Sequence, residues 1–265
     1  MTMRLFVDTP LKPGSDITLP PGAARHAQVR RVQPGDALRL FDGHGSDWPA
    51  TVLAMGRSEV RVHVGLPRPV ANELPLHITL ALGMPANERM DTLVEKATEL
   101  GVARIQPLIT TRSVLRLAGE RAQRKQAHWQ AIAVAACEQC GRARVPEVAP
   151  VCEFPAWLQQ MQADSDTALR VGLRLVLSLQ ADALPLPALP MLPTLPALPT
   201  LPFADLQRVV TLSGPEGGLA PEEEAAARAA GFVPTALGPR VLRADTAPLA
   251  VLAWLGLNGT ARKSG

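Results

Sequence analysis

The chain has 265 residues, 47% of them hydrophobic and 19% charged, and a formal net charge of +3 with a pI near 9.0. That is enough chain to bury one large core or two modest ones, too apolar for a disordered segment, and too mildly basic for charge alone to name a nucleic-acid partner. Three cysteines suit no disulfide framework, no proline-free apolar run reaches the roughly 20 residues of a membrane span, and the amino terminus lacks a signal-peptide stretch, so a cytoplasmic protein is expected.

Residues 1–70 have a strand-and-turn texture. Period-2 runs at 37–41, 48–54 and 59–64 are separated by Pro34-Gly35-Asp36, Gly43-His44-Gly45 and Gly56-Arg57-Ser58, which reads as a small β-barrel. Ahead of it stand Arg25, His26, Arg30 and Arg31, which on composition alone are either a solvated helix face or a phosphate grip. Residues 67–75 read as a linker.

Beyond the linker, strand and helix alternate. Residues 76–82 are a continuous apolar-rich strand, and Asn87 is placed to cap a helix in which Met90, Leu93, Val94, Ala97 and Leu100 keep the 3.6 period until Gly101 stops it. Residues 104–109 are again strand-like, and a long helix over 121–139 carries Ala131, Val134, Ala135 and Glu138 towards its end, with Gly141 closing it. Strands at 173–179 and 208–212 continue the alternation, so an α/β domain over 76–261 with a mainly parallel sheet and helices on both faces is expected. Cys137 and Cys140 have a zinc-like spacing but no second pair follows, and a helix can be drawn straight through them, so no metal is expected. Across 184–202, prolines at 187, 190, 193, 196, 199 and 202 and leucines at 186, 189, 192, 195, 198 and 201 repeat every third residue. That is polyproline II period, read as an inserted semi-rigid spacer.

The last part of the chain carries the chemistry. The strand at 208–212 drops into Ser213-Gly214-Pro215-Glu216-Gly217-Gly218, followed by a Pro-started helix with Glu222, Glu223 and Glu224 in its first turn. A second apolar segment at 235–237 ends in Gly238-Pro239-Arg240, and Val241-Leu242-Arg243-Ala244-Asp245-Thr246 leads into a terminal helix that is apolar almost all round, fit for burial or a dimer seam. Two glycine loops and a charged turn are expected to converge on one crevice beyond the carboxyl ends of the strands. GPEGG lacks the Lys-Ser/Thr of a phosphate-binding loop, and no GxGxxG follows a strand, so neither ATP nor NAD is indicated. Glycines without a cationic partner suit a ligand gripped by backbone groups, such as an adenosine carrying a sulfonium; the plain alternative is a tight turn.

The combination LSGPEGGL, an Ala-rich helix ending in GF, and LGPRVLRADTAP resembles the carboxyl-terminal signature of the RsmE family of 16S ribosomal RNA uridine N3-methyltransferases, of the SPOUT (trefoil-knot) class. ERMDTLVEKATELGVARIQPL from Glu88, ACEQCGR from Ala136 and HxxxVRRxxxGD from His26 match as well, in the same order along nearly the whole chain. The resemblance implies a PUA-like RNA-binding barrel followed by a SPOUT α/β knot domain, a homodimer, S-adenosylmethionine as cofactor, and 16S ribosomal RNA, within the assembled small ribosomal subunit, as substrate. It assigns Leu212, Gly214, Glu216, Gly217, Gly218, Leu237, Gly238, Arg240 and Leu242 to the cofactor, and Arg25, His26, Arg30, Arg31 and Arg142 to RNA.

The chemistry implied turns on the nucleophile. Uridine N3 carries a proton at neutral pH, so a side chain must remove it or stabilise the anion left on the neighbouring carbonyl oxygens. Arg243 is the expected anion stabiliser, with Glu138 or Asp245 near the uracil; the family generally has Glu at the position of Asp245, and an acidic residue ahead of a helix also serves as an N-cap. Two other functions fit the same residues less fully: a knotted methyltransferase acting on a ribose 2′ oxygen or a tRNA base, and an RNA-binding assembly factor with a vestigial pocket.

Overall fold

The computed structural model describes residues 2–57, 59–163, 172–186 and 206–260. The chain divides into two compact units, one made of Met1–Glu73 and Val134–Val145, the other of Leu74–Ala133 and Pro146–Gly265.

The first unit holds β1 (Met3–Phe6), β2 (Asp16–Thr18), α1 (Pro21–Val29), β3 (Ala37–Phe41), β4 (Ser46–Met55), β5 (Val60–Val64) and β6 (Arg68–Pro69). The sheet runs β1-β3-β4-β5-β2 with β6 on β4, antiparallel except for the β1–β3 pair. Alternation decides what faces inward: Leu38 and Leu40 of β3, Ala50 and Val52 of β4, and Val60, Val62 and Val64 of β5 meet Ala23, Ala24 and Ala27 of α1 in one core. Gly35, at φ 93°, turns the chain into β3. Two strands have no signal in the sequence pattern, and β6 falls inside the stretch read as linker. In β1 the pattern is masked because Arg4 is buried. Its guanidinium donates to Asp47 at 2.6 Å and to the carbonyls of Cys137 at 2.7 Å and Arg142 at 3.1 Å, and lies 4.6 Å from the centre of the Phe41 ring. Arg142 is buried too and donates to Glu73 at 2.8 Å.

The second unit contains β7 (His77–Gly83), α2 (Asn87–Glu99), β8 (Arg104–Ile109), most of α3 (Gly119–Cys140), β9 (Glu147–Val148), β10 (Cys152–Glu153), α4 (Phe154–Ala163), β11 (Gly172–Leu177), β12 (Leu184–Pro185), β13 (Arg208–Ser213), α5 (Pro221–Ala229), β14 (Val233–Ala236) and α6 (Thr246–Thr260). The sheet is entirely parallel, in the order β10-β8-β7-β13-β11-β14-β12, with β9 on β8. Ile78, Leu80 and Leu82 of β7, Leu173 and Leu175 of β11 and Val209 of β13 share a core with Met90, Leu93, Trp129, Val251, Leu252 and Leu255. Ala81, Val176, Val210 and Leu212, one residue out of phase, share another with Phe154, Trp157, Leu158, Ala227 and Phe232. Helices therefore cover both faces, as the unbroken apolar strands require. After β14 the chain returns, so that α6 packs on β7, β13 and α2.

Two local expectations are corrected. The N-cap of α2 is Ala86, with no side-chain cap, and Asn87 is the first helical residue; the Ala86 amide is held instead by the distant Glu216 carboxylate at 3.1 Å. The Leu-Pro repeat does not begin as a spacer, since Leu184–Pro185 forms β12 on the edge of the sheet beside β14. Of the rest of that repeat, 187–202 lies outside the described residues. Among the described residues no helix is long and apolar enough to cross a membrane.

Candidate cofactor site

Beyond the carboxyl ends of β11, β13 and β14 the second unit opens into a cleft of about 510 Å³. Ser213–Leu219 form one wall, Leu237 and Gly238 with Arg240–Ala244 another, and Leu177–Gln180 a third; Arg89 and Arg112 stand at its edge. The structure thus brings together Gly214, Glu216, Gly217, Gly218, Leu237, Gly238, Arg240, Leu242 and Arg243.

The glycines in the first wall are there for space. A Cβ on Gly214 would sit 2.4 Å from the backbone of Gly218 and Leu219, and one on Gly83, at the end of β7, 2.5 Å from Pro215. Gly218 adopts φ 70°, its amide donating to the Pro215 carbonyl at 2.8 Å, and Gly238 adopts φ 105°. The loop is also tied from outside. The Glu216 carboxylate accepts from the Ala86 amide and from Arg89 at 3.3 Å. Arg112 donates to the Gly217 carbonyl at 2.8 Å and the Leu219 carbonyl at 3.3 Å. Glu223 accepts from the Ala220 amide at 2.9 Å and from the Thr111 amide at 2.8 Å, so its acidic side chain closes the first turn of α5.

On the opposite wall Glu224 accepts from Ser178 at 2.7 Å and Arg228 at 2.8 Å. Arg228 also grips Asp182 at 2.6 Å, and that guanidinium holds the Asp182 carboxyl below its usual range. Both carboxylates of the cleft and two of its arginines are therefore engaged, whereas Arg240 and Arg243 make no ion pair among the described residues. Two buried oxygens, Ser213 Oγ and Asp245 Oδ1, have no hydrogen-bond partner among the described residues.

The remaining assigned residues lie elsewhere. Leu212 is in the core, and Asp245 stands between the lining residues Ala244 and Ala247, ahead of α6. Glu138, Arg25, His26, Arg30, Arg31 and Arg142 belong to the first unit. There Glu138 accepts from the Phe6 amide at 2.9 Å and pairs with His26 at 3.2 Å. Arg25 is exposed in the middle of α1, and Arg30 and Arg31 are exposed at its end, Arg31 with φ 56°. Arg142 is held by Glu73, so a direct phosphate contact would require that pair to open.

Sequence reasoning missed Arg89, Arg112, Ser178 and Leu219. All follow strand ends, and the rule that ligands sit outside the carboxyl ends of parallel strands would have found Ser178, directly after β11. Nothing near Arg112 signals its role, because its partners are 105 and 107 residues away in sequence. A neighbouring cavity of about 530 Å³, floored by Ile109, Phe154 and Leu158 and rimmed by Glu153 and Glu222, includes neither glycine loop.

The lining suits an adenosine-type ligand: apolar surface from Leu177, Leu219, Leu237 and Leu242, and backbone that glycine lets close in, with no lysine for a phosphate chain. Comparison with known proteins agrees. A family described as RNA methyltransferase domain matches residues 72–256, and one described as RNA methyltransferase PUA domain matches 19–65. The chain is 33% identical to Ribosomal RNA small subunit methyltransferase E of Synechocystis, over 96% of this chain and 77% of that one. It is 30% identical to the protein of that name from Mycobacterium bovis, over 97% and 92%. The crystal structure of a Ribosomal RNA small subunit methyltransferase E from Neisseria gonorrhoeae bound to S-adenosyl methionine superposes with a TM-score of 0.83 at 34% identity, covering 96% of this chain and 97% of that one.

Proposed function

We propose, for a chain that belongs to the Ribosomal RNA small subunit methyltransferase E family, that it uses S-adenosylmethionine to methylate N3 of one uridine in 16S ribosomal RNA. The observation that carries the reading is the glycine cleft at the strand ends, with its unpartnered Ser213 Oγ and its lack of phosphate-binding lysine. When bound, the cofactor supplies a methyl group already activated on a sulfonium, so no metal is needed. Gly214, Gly217, Gly218 and Leu219 would hold it through backbone groups, with Leu237 and Leu242 against its adenosine.

The work left to the chain is to make uridine N3 nucleophilic. Arg243, exposed on the cleft wall and without an ion pair among the described residues, is our candidate to stabilise the anion that develops on the uracil carbonyl oxygens. Of the two carboxylates, Asp245 has a buried oxygen with nothing bound to it, whereas both oxygens of Glu138 are engaged. Asp245 is therefore our candidate to take the N3 proton, a role in which its Oδ1 must be uncovered as the RNA binds, while Glu138 holds His26 and the Phe6 amide within the first unit. Arg25, His26, Arg30 and Arg31 would grip RNA phosphates. The working form is a cytoplasmic homodimer acting on the assembled small subunit.

The test is nuclease digestion of 16S RNA from cells lacking this protein. One 3-methyluridine should be missing and should return on incubation of the mutant small subunits with purified protein and S-adenosylmethionine; loss of a different modified nucleoside would replace the target assigned here. With the same subunits, Asp245→Asn should lower kcat by about 100-fold or more, while Asp245→Glu retains most activity. Equal activity of Asp245→Asn would remove Asp245 as the base.

A further inference from the structure

The geometry points to Arg112 as a positioning residue for the cofactor, one that acts through the glycine loop without touching the reacting atoms. This rests on the assignment of the glycine cleft to S-adenosylmethionine.

Arg112 follows β8 on the short Thr110–Ser113 turn, which is fixed from within by the Thr110 amide donating to Ser113 Oγ at 2.9 Å. From that base its guanidinium reaches two carbonyls of the loop, Gly217 at 2.8 Å and Leu219 at 3.3 Å, bracketing Gly218. Its stem fills the space beside Gly217, where a Cβ would lie 3.2 Å from the Arg112 Cβ. The preceding residue grips the next stretch of the loop: the Thr111 amide and hydroxyl both donate to Glu223, whose other oxygen accepts from the Ala220 amide. Two consecutive residues after β8 thus hold the loop from Gly217 to the start of α5.

The consequence for binding follows from which groups are used. The carbonyls of Gly217 and Leu219 are spent on Arg112, the Gly218 amide on Pro215 and the Ala220 amide on Glu223. The amides of Gly217 and Leu219 make no hydrogen bond among the described residues, and both residues line the cleft. A loop rich in glycine has many other conformations available, and its free amides serve a ligand only while those are suppressed. One guanidinium nitrogen, Nη1, donating to both carbonyls suppresses them; a lysine ammonium, on a shorter side chain and as a compact point charge, holds the pair less well.

Calorimetric titration with S-adenosylmethionine, followed by methylation of small subunits lacking the modification, separates this role from others. Arg112→Ala should weaken cofactor affinity about tenfold, the scale of one partly exposed charge-assisted hydrogen-bond pair. Its KM for cofactor should rise alike, with kcat at saturating cofactor and KM for subunits within about twofold, and Arg112→Lys should recover about half of the loss on a logarithmic scale. A merely structural role would lower the melting temperature and kcat together and leave that split absent. Unchanged affinity in Arg112→Ala, or a loss confined to kcat or to the KM for subunits, would overturn the proposal while leaving the cofactor assignment intact. Failure of the unsubstituted protein to bind S-adenosylmethionine, alone or with subunits, would overturn both.

Discussion

Gly217 shows how little room the loop leaves for a side chain. Its absent Cβ is 3.2 Å from Arg112, tighter than ordinary contact, and Gly217→Val adds two methyl groups beyond that point. The valine must displace Arg112 or intrude on the cleft, so cofactor binding measured by calorimetry should be lost while the far-ultraviolet dichroism stays unchanged. Retained affinity would mean the cofactor does not sit against this wall. That Gly217 would line a cleft was legible in the sequence because glycine, proline and an acidic helix start stand side by side. The place of Arg112 was not, since it depends on which strands the fold sets next to each other.

At the scale of elements, the end of α3 is the most informative. Cys137 looked like half of a metal site by spacing and like an ordinary residue of a continuous helix; it is fully buried beside Phe41 and Ala143, its thiol facing the Arg144 carbonyl at 3.5 Å. Burial pushes that thiol up to about 12 from 9.0. The folded state thus keeps a proton that the unfolded chain gives up more readily, so the stabilising contribution is full below about pH 9 and disappears as pH rises towards about 12. Denaturant unfolding should lose stability across that alkaline window, and Cys137→Ala should flatten the loss. Native protein at pH 8 should leave Cys137 unalkylated by iodoacetamide. Long periodic elements such as α2, β8 and β13 could be read directly from the pattern of apolar residues. The elements that escaped were short or carried an inward charge: β1 hides Arg4, and β6 and β12 are two residues each within proline-containing stretches.

For the whole molecule, the sequence suggests a boundary near residue 70, and the fold adds a segment from beyond it to the first unit. The first unit includes Val134–Val145, and from there come two carbonyls bound by the buried Arg4 and the carboxylate bound by the Phe6 amide. A linker composition marks where a chain changes texture and says nothing of a later segment that returns. A fragment ending at Glu73 would leave Arg4 with two acceptors missing in a buried site, a penalty of about 1–3 kcal/mol for each unsatisfied group. Such a fragment should give a poorly dispersed proton–nitrogen spectrum, and a folded spectrum from it would contradict the role given to the insert. The proposed homodimer is tested separately: sedimentation should return about twice the 28.2 kDa chain mass, and a mass near 28.2 kDa at micromolar concentration would exclude it.

The returning segment also imposes an order on synthesis. The first 73 residues leave the ribosome early, but the partners of Arg4 and Phe6 are not made until the chain has grown past Arg142. At a translation rate of about 5–20 residues per second, that interval is on the order of ten seconds. Throughout it the nascent strands carry an Arg4 that has Asp47 but lacks the two carbonyls that complete its buried site, so the amino-terminal unit is finished only after Leu74–Ala133 of the second unit has been translated.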